Sequence, residues 1–286
     1  MLTNFHTHTW MCHHATGRPI DYIKAAIEAG KNNPETDEFS MLGISDHCPF
    51  PGDSELNWIR VKMNCSQLPE YVSDVKEAAL FAPFPVYMGF ECEWDPQFKS
   101  WYTDDLKSKW GAQYLILGAH WFTNKYGEHE YIPNCKSRVE LHKYFDETIE
   151  AIGSGIFDVL AHPDLPMAGI DEWDADLEAC FSALIDAAID ADIPLEINGE
   201  GMNRPQKITQ KGVRYQYPFY EFWELVATKG AKVTANADAH APEKLLSNTK
   251  QARNFAEKFN FSIIGNPCTK SGGKLVSCNK ENCNEF

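Results

Sequence analysis

Seven short apolar runs, separated by stretches of helical periodicity, limit what this 286-residue chain can become. The runs are "LTNFHTH" (2–8), "SMLGISDH" (40–47), "PVYMGFECE" (85–93), "YLILGAHW" (114–121), "FDVLAHPD" (157–164), "PLEING" (194–199) and "KVTANADAH" (232–240). Each is followed by turn-like or polar residues, as expected of a buried strand. Between them lie helical patterns, among them "DYIKAAIEAG" closing on Gly30, "SQLPEYVSDVKEAALFA" opening on Ser66, "SRVELHKYFDETIEAIGSG" and "DADLEACFSALIDAAIDAD". "PFYEFWELVATKG" and "APEKLLSNTKQARNFAEKF" complete the series. Strands alternating with helices predict a parallel sheet covered by helices. A single unbroken series fits one closed α/β barrel better than two open-sheet domains. The expected domain spans 1–268, and 269–286 reads as a polar tail, either poorly ordered or added to the natural chain.

The strand ends carry the chemistry. His6 and His8 end the first run, Asp46 and His47 the second, Glu91 and Glu93 the third, and His120 the fourth. His162 and Asp164 end the fifth, Glu196 and Asn198 the sixth, and Asp238 and His240 the seventh. In a βα barrel the C-terminal ends of the strands build the active site. Residues two apart on a strand share a face, so His6/His8, Glu91/Glu93, His162/Asp164 and Asp238/His240 are expected to project as pairs. Of the 10 histidines, His13, His129 and His142 fall elsewhere; His129 (in "NKYGEHEY") and His142 (in a helix) read as ordinary surface residues. The other seven histidines with Glu91 and Asp238 make a candidate metal-ligand set. One zinc takes roughly three or four protein ligands, so the set suggests two or three ions, with Glu91 as the bridging carboxylate. Imidazole mixed with carboxylate suits zinc, iron or manganese.

Composition narrows the partners. The net charge of −15 counts against nucleic acid, whose phosphates demand a basic face. No apolar run reaches the roughly 18 residues of a membrane span, and no signal peptide is visible. The 9 cysteines include no C-x-x-C pair and read as reduced thiols, in keeping with a cytoplasmic protein. The sequence leaves the oligomeric state open.

Taken together, the H-x-H start, "SDH", "GFECE", "GAHW", "AHPD", "EING" and "ADAH" resemble the PHP (polymerase and histidinol phosphatase) superfamily, in order from residue 2 to about 265. "HTHTWMCHHA", "GISDHCPFP", "GFECEWDP", "EINGEGMNRP" and "NADAHAPEKL" look like its histidinol-phosphate phosphatase branch. The resemblance implies a distorted (β/α)7 barrel, TIM-like, with a trinuclear site at the C-terminal ends of the strands. Carried over by position, His6, His8, Glu91 and Asp238 would hold one metal; Glu91, His120 and His162 a second; His14, His47 and His240 a third. The C-x-H-A spacing of relatives selects His14 over His13, which becomes a solvent-facing neighbour.

The implied reaction is hydrolysis of a small phosphomonoester, L-histidinol phosphate, to histidinol and phosphate in histidine biosynthesis. The expected attack is by a hydroxide bridging metals in the Glu91 and Asp238 sites, since bound water falls to a pKa near ~7. The alternatives are a PHP phosphatase for phosphotyrosine or a nucleotide, and a PHP nuclease. Arg204, in "GMNRP", is the first candidate phosphate contact; Arg60 and Lys62, in "WIRVKM", are the second. Asp164, Glu93 and Glu200 are candidate acidic contacts for the cationic remainder of the substrate. No general acid is assigned. Amidohydrolase barrels also use H-x-H but add a strand-end Lys, which this chain lacks.

Overall fold

The computed structural model describes residues 1–52 and 61–268, so Arg60 and the 269–286 tail lie outside the described residues. Seven strands form one sheet: β1 (Leu2–Asn4), β2 (Phe39–Ile44), β3 (Val86–Cys92), β4 (Tyr114–Leu117), β5 (Val159–Leu160), β6 (Leu195–Asn198) and β7 (Val233–Asn236). They lie side by side in chain order, and every neighbouring pair is parallel. The connecting helices are α1 (Pro19–Asn32), α2 (Leu68–Ala79), α3 (Arg138–Gly153), α4 (Ala175–Asp190) and α5 (Tyr220–Lys229), with α6 (Leu245–Glu257) after β7. This is the expected α/β architecture. Among the described residues no helix is long and apolar enough to cross a membrane, and no disulfide joins the seven described cysteines.

Local sequence accounts for the helices. Asp174 caps α4 by accepting from the Leu177 N–H at 2.9 Å. Leu177, Phe181, Leu184, Ile185 and Ala188 then recur at helical spacing and are buried against the sheet. The link between β3 and β4 departs from the pattern. Trp101–Lys109 winds as a π-helix, and the Trp110 N–H donates to Asp105 O at 2.8 Å, five residues back. Only Trp101, Tyr102 and Leu106 of its nine residues are buried, too weak an apolar stripe to predict a helix there. Two small antiparallel hairpins were also not anticipated: Trp121–Thr123 with His129–Tyr131, and Lys207–Thr209 with Gly212–Arg214.

The ring closes between β1 and β7 by an unusual seam. Beyond the strand ends, Thr7 bridges Ala239 in parallel, and the His8 N–H donates to Ala239 O at 2.9 Å. Below that, side chains replace the ladder. The Phe5 N–H donates to Asn236 Oδ1 at 2.8 Å, and the Ala237 N–H donates to Asn4 Oδ1 at 2.6 Å. Inside the ring, Phe5, Tyr87, Tyr114, Ile116, Val159 and Ala161 form a buried plug. Each large side chain so buried contributes roughly 1.5–3 kcal/mol. Tyr114 crosses the interior to donate to Phe5 O at 2.8 Å. A Cβ at position 89 would meet its ring at 2.5 Å, so Gly89 in "YMGFE" is what admits it.

The strands are shorter than the apolar runs, and this corrects one expectation. β5 stops at Leu160, and His162 adopts a left-handed φ of 30°. The pleat is lost there, so His162 and Asp164 do not share a face. Asp164 is buried and turns towards α5, where Oδ2 accepts from the Phe219 N–H and the Trp223 indole N–H (3.0 Å). It is a packing residue, not a substrate contact. Burial pushes its carboxyl up to about 7, against the donors that hold it. Asp164→Ala strands two buried donors and is expected to cost several kcal/mol, at ~1–3 kcal/mol per unpaired group. Asp164→Asn keeps an acceptor and is expected to retain most of the stability; urea unfolding of both variants checks the difference.

Candidate metal centre

The C-terminal rim opens into a cleft of about 380 Å³. His8, His14, His47, Glu91, His120, His162, Asp238 and His240 all line it, and His6 lies buried beneath. The whole nine-residue set is thus brought together, although its members are spread over more than two hundred residues of chain.

The imidazoles are aimed. His6 Nδ1 donates to Glu196, at 2.9 Å to Oε1, and His120 Nδ1 to Glu93 Oε1 at 2.7 Å. His14 Nδ1 donates to Cys12 O at 2.9 Å, and His240 Nδ1 to Asp238 O at 3.0 Å. His8 Nδ1 lies 3.4 Å from Asp46 Oδ1. Asp46 is itself fixed by the Thr9 hydroxyl and by the His47 N–H at 2.8 Å. In each case one ring nitrogen is held and the other is left facing the cluster. That is the arrangement of metal-ligating histidines, whose outer partners fix tautomer and direction.

The inward atoms form three groups. His6, His8 and Asp238 converge, with Glu91 Oε2 3.4 Å from His6 Nε2 and 3.5 Å from His8 Nε2. Glu91, His120 and His162 make the second, with His162 Nε2 3.0 Å and His120 Nε2 3.5 Å from Glu91 Oε1. His8, His47 and His240 make the third, with His14 Nε2 3.0 Å from His240 Nε2. Glu91 stands between the groups, because His47 Nδ1 also lies 3.0 Å from its Oε2.

The donor set fits divalent cations. His6 Nε2 and His8 Nε2 face each other at 3.1 Å, as do the His14 and His240 nitrogens at 3.0 Å. Glu91 Oε2 and Asp238 Oδ1 are buried against imidazole nitrogens, His47 Nδ1 and His8 Nε2, each at 3.0 Å. Lone pairs turned on one another in a dry site are costly unless positive charge lies between them. Burial alone would raise the Glu91 and Asp238 carboxyls; the imidazoles around them, His6 foremost, hold both well below the usual carboxylate range. Burial and the neighbouring His8 push His47 and His240 down, His240 to about 3, which keeps them in the neutral form that binds metal. Cys12 lies within ligand distance of His8 and Asp46, but burial keeps its thiol protonated and it donates to Thr9 O at 3.1 Å.

Two basic residues complete the wall. Lys62 lines the cleft and is buried, not a solvated cation, with Nζ 3.6 Å from Glu93 Oε1. Arg204 reaches in from the turn after β6, stacked 5.8 Å over the Tyr217 ring and beside the Tyr131 hydroxyl. Glu93 lines the cleft; Glu200 does not, its carboxylate accepting from Asn248 Nδ2 at 3.1 Å. His13 is exposed in a left-handed turn (φ 68°). His142 is exposed on α3, as expected, whereas His129 is half-buried in a hairpin strand rather than free in a loop. The residues that sequence reasoning passed over are Tyr131, Tyr217 and Trp121 on the cleft wall, and Asp46 and Glu196 behind the histidines. The two carboxylates had a signal, since both lie near the ends of apolar runs.

A ring of parallel strands whose C-terminal rim gathers imidazoles, carboxylates and two basic residues defines a metal-binding α/β barrel enzyme. The chain belongs to the PHP domain family, whose sequence model matches residues 4–200. It is 28% identical over 251 residues to a probable histidinol-phosphatase of Deinococcus radiodurans, covering 84% of this chain and 87% of that one. The fold is similar to a crystal structure of histidinol phosphate phosphatase from Lactococcus lactis complexed with zinc, L-histidinol and phosphate. That similarity has a TM-score of 0.63 at 15% identity, covering 92% of this chain and 95% of the other.

Two substitutions check the geometry. A Cβ at position 118 would meet Glu91 Oε1 at 2.5 Å. Gly118→Ala is therefore expected to displace Glu91 and to lower metal content at least severalfold, measured by elemental analysis, while circular dichroism stays unchanged. His14→Ala is expected to cost far more activity than His13→Ala in steady-state assays; the reverse order would overturn the placement of His14.

Proposed function

We propose that this protein is a metal-dependent phosphomonoesterase that hydrolyses L-histidinol phosphate to L-histidinol and inorganic phosphate. The observation that carries the reading is the convergence of nine ligand-type side chains on one cleft that also receives Arg204 and Lys62. The names of the deinococcal and lactococcal proteins support the substrate.

In this reading three divalent ions, zinc in the first instance and iron or manganese otherwise, are held by the three groups. His6, His8, Glu91 and Asp238 hold one, Glu91, His120 and His162 another, and His14, His47 and His240 the third. When bound, such ions neutralise phosphoryl charge and make a nucleophile available at neutral pH. The protein's own residues do the rest. Arg204 and Lys62 bind phosphoryl oxygens and orient the ester. Arg204 is held for this by Tyr217 and Tyr131, and Lys62 by Glu93. Glu93 also fixes His120, so one carboxylate sets both a ligand and a phosphate contact. Beside Lys62, Glu93 and Trp121 the cleft adjoins a narrower pocket of about 70 Å³. Trp94, Tyr144, Asp95 and Glu147 line it, an aromatic and acidic lining suited to the imidazole and ammonium of histidinol. Of the expected acidic contacts Asp164, Glu93 and Glu200, Glu93 is the one that lines the cleft. Residues 1–268 form the catalytic domain in this account, working in the cytoplasm on a small-molecule ester and not on nucleic acid.

Phosphate release from histidinol phosphate, phosphotyrosine, a nucleoside monophosphate and single-stranded DNA tests the substrate. Histidinol phosphate is expected to lead by orders of magnitude in kcat/KM; comparable rates on all the monoesters would overturn it. Chelator dialysis is expected to abolish turnover and zinc or manganese to restore it, with elemental analysis near three ions per chain at full activity.

A further inference from the structure

One cluster of ligand-type side chains lies outside the barrel mouth and takes no part in the chemistry above. On the outer helical layer, His142 of α3 faces Asp176 and Cys180 of α4, and their ligand atoms all lie within 4.8 Å of one another. Asp176 and Cys180 are four apart and so share one face of their helix. His142 Nε2 sits 2.9 Å from both Oδ1 and Oδ2 of Asp176. The two helices are fixed beneath this cluster by Phe145 and Phe181, whose rings meet edge to face at 4.9 Å. Arg138 approaches Asp176 Oδ2 at 3.4 Å and also pairs with Asp174, so the carboxylate is oriented from outside.

We propose that His142, Asp176 and Cys180 form a second metal site that takes a zinc-like divalent cation and ties α3 to α4. The donor chemistry selects the ion. A thiolate with an imidazole and one carboxylate suits zinc or cobalt, whereas magnesium and calcium take oxygen ligands. On binding, the thiol proton leaves to solvent and sulfur, nitrogen and oxygen each donate a lone pair, with a fourth position open to water. His142 and Asp176 are about half exposed, at 48% and 47%, so the ion reaches the site without opening the core. An ion there binds the folded helix pair and not the unfolded chain, and therefore stabilises the fold.

The test uses the full chain with its barrel metals in place, titrated with cobalt(II) alone and then with zinc alone. The wild type is expected to bind one cation more than Cys180→Ser and to show a near-ultraviolet thiolate-to-cobalt charge-transfer band. Both the extra cation and the band should vanish in Cys180→Ser and in His142→Ala. Zinc should raise the melting temperature of the wild type and not of the two variants, whose phosphatase activity should match the wild type and so report an intact barrel. A band that survives Cys180→Ser, or equal stoichiometries in wild type and variants, would overturn the proposal. A band lost in Cys180→Ser but kept in His142→Ala would show capture by a lone thiol and would overturn the three-ligand site equally.

Discussion

Glu196 is the buried carboxylate on which the rim depends. It is the second residue of β6 and accepts from three side chains and one backbone amide. His6 Nδ1 donates to it from just past β1, Asn236 Nδ2 from β7 at 2.9 Å, Asn198 Nδ2 from its own strand at 2.9 Å, and the His162 N–H from just past β5 at 3.2 Å. With every lone pair used, a fully buried charge becomes tolerable. The same bonds set the tautomer of His6 and the position of His162, which belong to two different ligand groups. Asn236 in turn holds the Phe5 amide across the seam. One carboxylate therefore couples ring closure to ligand aim.

The electrostatics divide by scale. Over the whole chain the charge of −15 repels anions. At the cleft, Glu91 and Asp238 sit among imidazoles with Lys62 and Arg204 at the wall. Local arrangement, not net charge, decides what enters. Glu93 shows how closely these parts are linked, since it is buried between His120 and Lys62 and neither can shift without the other feeling it.

Much of this was legible in the sequence, for a definable reason. Parallel barrel strands are buried on both faces, so they print as apolar runs, and their ligands must sit where those runs end. That points to eight members of the cluster, whereas His14, in the loop after the first run, is singled out by the C-x-H-A spacing of relatives. What failed was the assumption that the pleat continues to the last residue. His162 and Asp238 both take left-handed φ values, 30° and 49°, as the chain leaves β5 and β7. At Asp164 the change of direction turned an expected contact into a packing residue. Glu196 was visible as a strand end, yet nothing in one dimension says that it faces His6 from 190 residues away. The π-helix over Trp101–Lys109 was illegible because only three of its nine residues are buried, too few to print an apolar stripe.

The seam between β1 and β7 carries a further implication. At Phe5 and Ala237 the amide protons are held by the side chains of Asn236 and Asn4, not by a neighbouring backbone. Asn4 also bonds Thr7 Oγ1 at 2.6 Å, between His6 and His8. The same amide side chains therefore serve both the seam and the turn that carries His6 and His8. Protection of these two amides from solvent thus rests on two asparagine side chains and not on a strand ladder.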